Sequence, residues 1–400
     1  MTTALLALAL APQSTPLNTA SMDGWVIRGG KAAYRFENGE IIGTTAPNSP
    51  NTFLCTEKMY GNFDLELEIK VDPRMNSGIQ FRSNSVPGYN KGVVHGYQAE
   101  VDPSERAWSG GLYDESRRGW LKDLKDNPTA QKAWRQNEWN KYRIRAVNDH
   151  IEIWVNGVKT TDFRDDVTQW GFIGLQVHGV GAEAKPMEVR WRNLRINDMG
   201  MPSKNPPRGS NRLLFGPNDL KNWGRNGDSS KEIGWVWKDG ALEGVPGTGD
   251  IQAKHAHSDA LIYLEFMVDE NNQQGQANGN SGFYLQGRYE VQILNSAGQA
   301  PAHDLCGGLY GVKAPDYNMA YPPYQWQSYL AKFTAPKWEN GQKKANARVT
   351  VWHNGTMIHR DVELPGTTTS GNAEEEQPMG IKLQDHGHPI RFRNIWMKSL

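Results

Sequence analysis

The residues of this sequence that could do chemistry stand in pairs, two positions apart. A carboxylate and an amide alternate with apolar residues in each half of the chain, as Gln98 and Glu100 in one half and Glu290 and Gln292 in the other. Because successive side chains of a strand point to opposite faces, residues two apart share a face. Each pair therefore places an ionisable group beside a hydrogen-bonding group, which can bind a polyhydroxylated ligand or transfer a proton.

Further polar pairs and a tyrosine recur in the same order in both halves. Gln-x-His puts an amide and an imidazole on one strand face, Arg-x-Arg puts two guanidinium groups there, and Gly-Gly-Leu precedes a tyrosine with a polar tip. These candidates are Gln176, His178, Arg190, Arg192 and Tyr113 in the first half, and Gln384, His386, Arg391, Arg393 and Tyr310 in the second. Any solvent-exposed sheet face carries polar residues, and arginines often only form an ion pair with a neighbouring carboxylate. Recurrence in both halves favours a functional role for the Gln-x-His pairs.

The segments that carry these residues form one unit used twice. Residues 61–70 and 261–266 are predicted strands, and each is followed by Asn-Ser-Gly and a second strand. Later strands run into Asn156-Gly157 and Asn354-Gly355, a strong hairpin signal. Helical periodicity is nearly absent. The sequence therefore predicts an all-β protein of two tandem antiparallel β-sandwiches of the jelly-roll type.

Composition shifts set the expected domain boundaries. Residues 199–210, MGMPSKNPPRGS, are too rich in Pro and Gly for a strand or helix and are predicted to be a linker. The domains are then residues 21–198 and 211–400. Residues 1–20 form a leader, whose apolar stretch MTTALLALALA is similar to the core of an export signal without its basic start. This predicts a periplasmic or secreted protein.

The overall composition limits the class of partner. The chain has 400 residues with 44 Lys+Arg and 44 Asp+Glu, so its formal net charge is zero. Nucleic acid is therefore not expected as a partner, since binding phosphates needs a basic surface. The apolar stretch at the N-terminus is too short to span a membrane, and no membrane span is expected. Cys55 and Cys306 are predicted to be isolated thiols. The histidines predicted to lie on the surface are His255, His257, His303 and His388.

Both halves resemble the 3-keto-disaccharide hydrolase domain, a family abundant in environmental bacteria. In the second half the resemblance is carried by residues 214–220, 235–240, 289–293, 383–387 and 392–395. In the first half it is carried by residues 76–78, 97–98, 112–115, 138–140 and 175–179. The first half departs from the second in having Gln98 where the second has Glu290, which leaves open which half is catalytic.

The resemblance implies a concanavalin A-like (lectin/glucanase) jelly roll in each half and cleavage of glycosides whose sugar is oxidised to a ketone at C3. Such a ketone acidifies C2–H, so a base can remove the proton, the enolate can expel the group at C1, and water can add to the enone. His386 would be the base or a metal ligand, and Glu290 its acid/base partner or co-ligand. Gln292, Gln384 and Arg391 or Arg393 would bind the ketone and hydroxyls. Their first-half counterparts are His178, Glu100, Gln98 and Gln176.

Three questions stay open at this point. A divalent metal held by a histidine and a glutamate is compatible with the sequence, but one histidine per domain does not establish it. An ordinary jelly-roll glycoside hydrolase is an alternative, since Glu100, Asp102 and Glu105 spell Glu-x-Asp-x-x-Glu, although Pro103 interrupts the strand. A non-catalytic carbohydrate-binding protein is the other alternative, since the same fold hosts many lectins.

Overall fold

A computed structural model describes residues 14–182, 185–201, 206–228, 230–271 and 273–400. The chain divides into two compact units. The first unit contains residues up to Ser83, His95–Asp165 and Gly171–Gly200, and the second contains Asn84–Val94, Asp166–Trp170 and Met201–Leu400. Within the described ranges the helices are short: α1 (Pro128–Gln131) and the 3₁₀ turns Asn90–Gly92, Pro217–Asn222 and Gly275–Ala277. The protein is therefore all-β, as predicted.

The first unit is built from two antiparallel sheets. Its strands are β1 (Thr15–Pro16), β2 (Trp25–Gly29), β3 (Ala33–Glu37), β4 (Glu40–Thr44), β5 (Thr52–Thr56), β6 (Asn62–Val71), β7 (Ser77–Asn84), β8 (His95–Val101), β9 (Leu112–Glu115), β10 (Gly119–Lys122), β11 (Asn140–Val147), β12 (His150–Val155), β13 (Val158–Arg164), β14 (Phe172–Val177) and β15 (Glu188–Gly200). One sheet has the order β13-β12-β11-β6-β15-β4-β3, with β1 also pairing with β15. The other has the order β10-β9-β8-β7-β14-β5-β2. We call them the outer sheet and the site sheet of this unit.

The second unit repeats this plan with a narrower site sheet. Its strands are β16 (Asn211–Leu214), β17 (Trp223–Arg225), β18 (Val236–Lys238), β19 (Ala241–Glu243), β20 (Ile251–Ala253), β21 (Ala260–Met267), β22 (Ser281–Leu285), β23 (Tyr289–Ile293), β24 (Gln327–Thr334), β25 (Lys337–Glu339), β26 (Gln342–Ala345), β27 (Ala347–His353), β28 (Thr356–Leu364), β29 (Lys382–Leu383) and β30 (Arg391–Ser399). The outer sheet has the order β18-β19-β30-β21-β24-β27-β28, with β16 on β30, and the site sheet has the order β17-β20-β29-β22-β23. Strands β25 and β26 form a separate hairpin.

Local sequence explains why these strands form. In β6 the sequence NFDLELEIKV alternates, and its apolar residues are buried while its polar residues are less so. The predicted Asn-Gly turns join β12 to β13 and β27 to β28. Asn156 and Gly157 have φ of 48° and 83°, and this left-handed backbone is what a tight two-residue hairpin turn requires. Both hairpins are confirmed.

The boundaries of the leader and of the first domain differ from the predicted ones. Thr15 and Pro16, within the predicted leader, pair with Arg195 and Ile196 of β15. Strand β15 also runs to Gly200, past the predicted domain end at residue 198. The apolar stretch of the leader lies in residues 1–13, outside the described residues, as do residues 202–205 of the linker.

Each unit has its own apolar core between its two sheets. The two cysteines are part of these buried regions and are free, as predicted. Among the described residues, no helix has the length and apolar character that crossing a membrane requires.

The second unit buries three histidines. His257, predicted to be on the surface, is 4% exposed, and His353 and His359 are fully buried. Burial disfavours the imidazolium form, which lowers the pKa of His257 to about 4, of His353 to about 3 and of His359 to about 4. An unfolded histidine titrates near 6.5, so the unfolded state takes up protons first as pH falls.

These histidines should make the second unit sensitive to acid. Their contribution to stability is complete above pH 6.5 and is lost as pH falls from 6.5 towards 4, because only the unfolded state is then protonated. For His257 alone the loss between pH 7.5 and 5 is about 2 kcal/mol. Denaturant unfolding at both pH values should show a smaller loss for His257→Leu than for the unchanged protein. Equal losses would contradict this account. The raised pKa of Glu290 makes the folded protein more stable as pH falls, which opposes the effect of the histidines. The quantity to measure is therefore the difference between the stability losses of His257→Leu and of the unchanged protein.

Candidate functional site

The site sheet of the second unit carries a row of polar side chains facing away from the core. Tyr289, Val291 and Ile293 of β23 pack into the core, so Glu290 and Gln292 face the other way. Across the neighbouring strands, Glu290 pairs with Tyr284, and Tyr284 pairs with Lys382. The three side chains therefore stand side by side on one face.

A pocket lies over this row. Five predicted site residues of the second half line it, namely Glu290, Gln292, Tyr310, Gln384 and His386. The remaining lining residues are Gln276, Asn280, Tyr284, Thr369 and Ser370. The structure thus brings together the carboxylate, amide and imidazole groups that strand alternation had selected and the tyrosine that follows Gly-Gly-Leu.

Glu290 is the ionisable group at the base of this pocket. Glu290 is 3% exposed to solvent. Burial raises the pKa of its carboxyl to about 7, although a hydrogen bond from Tyr284 and the positive charge of Lys382 both favour the ionised form. A carboxyl with a pKa near neutral pH can both accept and return a proton under ordinary conditions.

Tyr284 and Lys382 are the neighbours of Glu290 on the next two strands of the sheet. The Lys382 ammonium lies 3.9 Å from the centre of the Tyr284 ring, donates to the carbonyl oxygen of Ser370 (2.6 Å) and pairs with Asp250 (3.1 Å). Burial and the Glu290 carboxylate raise the pKa of Tyr284 above its usual value, so its phenol stays neutral and can donate a proton. Gln384 Nε2 donates to the Tyr284 hydroxyl (3.2 Å).

His386 lies at the exposed rim of the pocket and Tyr310 is half-buried in its wall. The imidazole of His386 stacks parallel to that of His388, with ring centres 6.1 Å apart. Asp385 points elsewhere, because its carboxylate accepts from the backbone N–H groups of Gly249 (2.8 Å) and Gly387 (3.0 Å). The pocket therefore has an exposed imidazole at its rim and the buried carboxyl of Glu290 at its base.

The first unit has the same row with the carboxylate and amide exchanged. Gln98 stands where the second unit has Glu290, and Gln80 stands in place of Tyr284. Gln80 Nε2 donates to Gln98 Oε1 (2.8 Å), and Gln98 Nε2 donates to Glu100 Oε2 (3.0 Å). The position matching Lys382 is Gly174, so the buried cation has no counterpart here.

Glu100 is held by donors on both carboxylate oxygens. Asn76 donates to Oε1, Gln98 to Oε2, and Arg106 approaches Oε1 at 3.6 Å. Burial raises the pKa of this carboxyl to about 7 despite these donors. Its oxygens are occupied by the protein itself, which fits a fixed acceptor better than a mobile base.

The other predicted residues of the first half lie around this row. Gln176 is buried, and its Oε1 has no hydrogen-bond partner among the described residues. His178 is exposed near Glu115, and its charged form would favour the ionised form of that carboxyl. Tyr113 stands directly across from Gln98 on β9. The structure therefore groups these residues on one face, as in the second unit.

The four arginines do not join either group. Trp191 and Phe392 pack into the cores, so the flanking arginines face away from the core on the outer sheets. There they pair with carboxylates: Arg190 with Glu188 (2.8 Å), Arg192 with Glu68 (2.7 Å), Arg391 with Glu243 (2.8 Å) and Arg393 with Glu265 (2.6 Å). The structure thus separates Arg190, Arg192, Arg391 and Arg393 from the site residues with which they were predicted to act.

The Arg-x-Arg-Asn motif recurs for a structural reason. Asn193 and Asn394 have φ of 54° and 52°, and each follows its arginines at an irregularity in strand pairing. Asparagine tolerates this left-handed backbone better than most residues, so it suits a bulge in a long strand. The motif marks a bend of the outer sheet.

The glucanase-like carboxylates do not share a strand face. Strand β8 ends at Val101, and Glu105 lies in an exposed turn. Asp102 instead accepts from Ser104 (2.6 Å) and Arg106 (2.7 Å). This arrangement lacks the aligned carboxylates that the alternative mechanism of an ordinary glycoside hydrolase needs.

Metal-ligand side chains cluster elsewhere. Within the described ranges, one group of three has ligand atoms within 4.8 Å of one another: His150, Glu152 and Asp162. It lies on the outer sheet of the first unit, where Lys159 already binds Glu152 (2.6 Å) and Asp162 (3.0 Å). The pocket of the second unit offers one imidazole and one carboxylate, so no step is assigned to a metal there.

Sequence reasoning missed several residues of the site. Tyr284 and Gln80 were not selected, although each lies two positions after a glycine of the recurring Asn-Ser-Gly and so shares a strand face with it. Extending the alternation rule along that strand would have found them. The same rule places Lys382 on the face of Gln384, whereas Asp250 gave no signal, because its contact with Lys382 joins distant segments.

Comparison with known proteins identifies the family of the chain. A family model described as 3-keto-alpha-glucoside-1,2-lyase-like domain matches residues 14–197 and again 211–398. No curated protein matches the chain.

Among solved structures, the chain is similar to a candidate glycosyl hydrolase from Parabacteroides distasonis ATCC 8503, with 32% identity over 48% of this chain and 84% of that one, and a TM-score of 0.44. A second protein described in the same way from that organism shows 23% identity over 48% of this chain and 99% of that one, with a TM-score of 0.34. A carbohydrate binding module from Bacillus subtilis shows 17% identity over 44% and 95%, with a TM-score of 0.32. The protein is carbohydrate-active, and the chain belongs to the 3-keto-alpha-glucoside-1,2-lyase-like family, whose domain it carries twice.

Proposed function

We propose that the second unit cleaves 3-keto-glycosides by elimination followed by hydration, with Glu290 as the base. The observation that carries the proposal is a buried carboxyl with a pKa near 7 at the base of a pocket lined by amide, phenol and imidazole groups. A ketone at C3 makes the C2–H bond acidic enough for a carboxylate base to remove the proton. This chemistry does not need the two opposed carboxylates of an ordinary glycosidase.

The reaction needs three groups, and the pocket offers candidates for each. Glu290 takes the C2 proton, and the electron pair of that bond forms the C2–C3 enolate. Hydrogen-bond donors such as Gln384 Nε2 and the Tyr310 hydroxyl stabilise the enolate oxygen. The enolate then re-forms the ketone as the C1–O bond breaks, and His386 at the rim protonates the leaving oxygen.

Hydration completes the cycle. The product of elimination is an enone that joins C1 and C2 by a double bond. Water adds its oxygen to C1 and gives one proton to His386, which replaces the proton that His386 gave to the leaving oxygen, while protonated Glu290 returns its proton to C2. The net reaction consumes one water and releases the free 3-keto-sugar and the aglycone, so atoms and charges balance.

The proposal is tested by incubating the protein with a 3-keto-glucoside and with the same glucoside before oxidation. Release of the aglycone, followed by chromatography with mass detection, is expected only from the oxidised compound. Release from the unoxidised glucoside at the same rate would overturn the proposed chemistry.

Gly282 should be indispensable for placing Glu290. A Cβ at this position would lie 2.3 Å from Glu290 Oε1 and 2.5 Å from the Tyr284 ring, so both groups would have to move. Gly282→Ala is therefore expected to lower kcat by about tenfold or more, since small misplacements of a base are costly. Gly366→Ala is a matched control, because a Cβ there would meet no atom within 4 Å. Equal activities of the two variants would argue against this placement.

A further inference from the structure

The site sheet of the first unit is wider than that of the second. In the second unit the last strand is β23, which carries Glu290, and the segment beyond it pairs with β23 through a single bridge between Leu309 and Val291. In the first unit the corresponding strand, β8, is followed by β9 and β10. The added strands extend the polar row, because Tyr113 pairs with Gln98 and Trp120 pairs with Tyr113. Because Tyr310 of the second unit matches Tyr113, what the first unit adds is β10 with Trp120.

This added surface is aromatic. The Trp120 ring contacts that of Tyr113, with centres 5.1 Å apart, and that of Trp108, with centres 4.8 Å apart. All three residues are partly exposed. Arg106 lies over both tryptophans and pairs with Asp102 (2.7 Å), which fixes the cluster beside the polar row. Half-exposed rings next to polar groups suit a ligand with one apolar face and a hydroxylated edge.

Glu115 is an acceptor on the face that carries the rings. Glu115, on the same face of β9 as Tyr113, accepts from Asn51 (3.0 Å) and is only partly buried. Hydroxyl groups can donate to such acceptors, whereas a ketone oxygen cannot.

We propose that the first unit is a non-catalytic binding site for neutral, unoxidised glucosides, with Trp120 as the stacking surface and Glu115 as an acceptor for sugar hydroxyls. The all-equatorial glucopyranose ring presents the C–H face that such a surface needs. The inference rests on the proposed function in one respect: catalysis is assigned to the second unit. The carboxylate of Glu100, in the polar row of the first unit, is less available as a base than Glu290, because Asn76 and Gln98 donate to its two oxygens.

The test is calorimetric titration of the full chain with maltose and with cellobiose. Neither is oxidised, so binding is measured without turnover. At least one disaccharide is expected to bind, and Trp120→Ala and Glu115→Gln are each expected to weaken binding tenfold or more. Trp139→Ala is a matched control, since this tryptophan also carries a stacked arginine (Arg192, 4.0 Å) but lies by the outer sheet. Circular dichroism of each variant checks that it is folded.

Three results would overturn the inference. One is that neither disaccharide binds. Another is that the Trp139 variant loses as much affinity as the Trp120 variant. The third is that Tyr310→Ala, in the second unit, abolishes binding while folded Trp120 and Glu115 variants bind normally. Turnover of a 3-keto-glucoside is measured separately, so failure of the proposed function and failure of this binding site are distinguishable.

Discussion

Replacing Glu290 with glutamine is expected to lower kcat for a 3-keto-glucoside by about 10²- to 10⁴-fold, the usual contribution of a positioned general base. Glutamine keeps the size of the side chain but cannot accept the C2 proton. KM should change much less than kcat, since the amide can still make hydrogen bonds to the substrate. Steady-state kinetics on the oxidised glucoside measure both parameters.

The two halves provide an internal comparison for this variant. Glu100→Gln removes the ionisable group of the first unit, and its effect on kcat should be smaller than that of Glu290→Gln by at least about 30-fold, because only Glu290 has the assigned role of base. Glu339→Gln, at an exposed position of β25, controls for loss of a charge. A larger loss for the Glu100 variant would move catalysis to the first unit and contradict the assignment.

Replacing Lys382 with methionine should shift the pH dependence of the reaction. The buried ammonium favours the ionised form of Glu290, whereas Asp250 opposes it. Without the ammonium the pKa of Glu290 rises further, so the acid limb of kcat/KM should move to higher pH by about one unit. Activity at pH 6 then falls more than activity at pH 8.

The same variant should also be less stable, by about 3 kcal/mol, because Asp250 loses its ion-pair partner. Loss of stability alone would lower activity without moving the profile, so the position of the acid limb separates the two effects. Lys332→Met removes an exposed lysine of β24 and should leave the profile in place. An unshifted acid limb in folded Lys382→Met would show that Lys382 does not set the protonation of Glu290.

The fold could be predicted from the sequence because its signals are local. The alternation in β6 reflects the two-residue period of a strand, and the Asn-Gly turns reflect left-handed backbone. Neither signal depends on distant contacts. The repeat of these signals in the same order then showed two units. The surface prediction for His257 failed because its burial is decided by the packing of segments far apart in the chain.

The site could be predicted only where its residues lie on strands with clear alternation. Glu290, Gln292, Gln384 and His386 were found in this way and line one pocket. The same rule also selected the arginines, because it shows which residues share a face but not which sheet that face belongs to. The rule also places Lys382 on the face of Gln384, but its contact with the ring of Tyr284 on a neighbouring strand could not be predicted from the sequence.

The central claim is that proton removal from C2 by Glu290 starts the reaction. A 3-keto-glucoside deuterated at C2 tests it most directly, because the bond to be broken carries the label. We expect slower release of the aglycone from the deuterated compound than from the unlabelled one, and no exchange of the C2 label with solvent in Glu290→Gln. Equal rates of aglycone release for the two compounds in a single turnover would contradict the account.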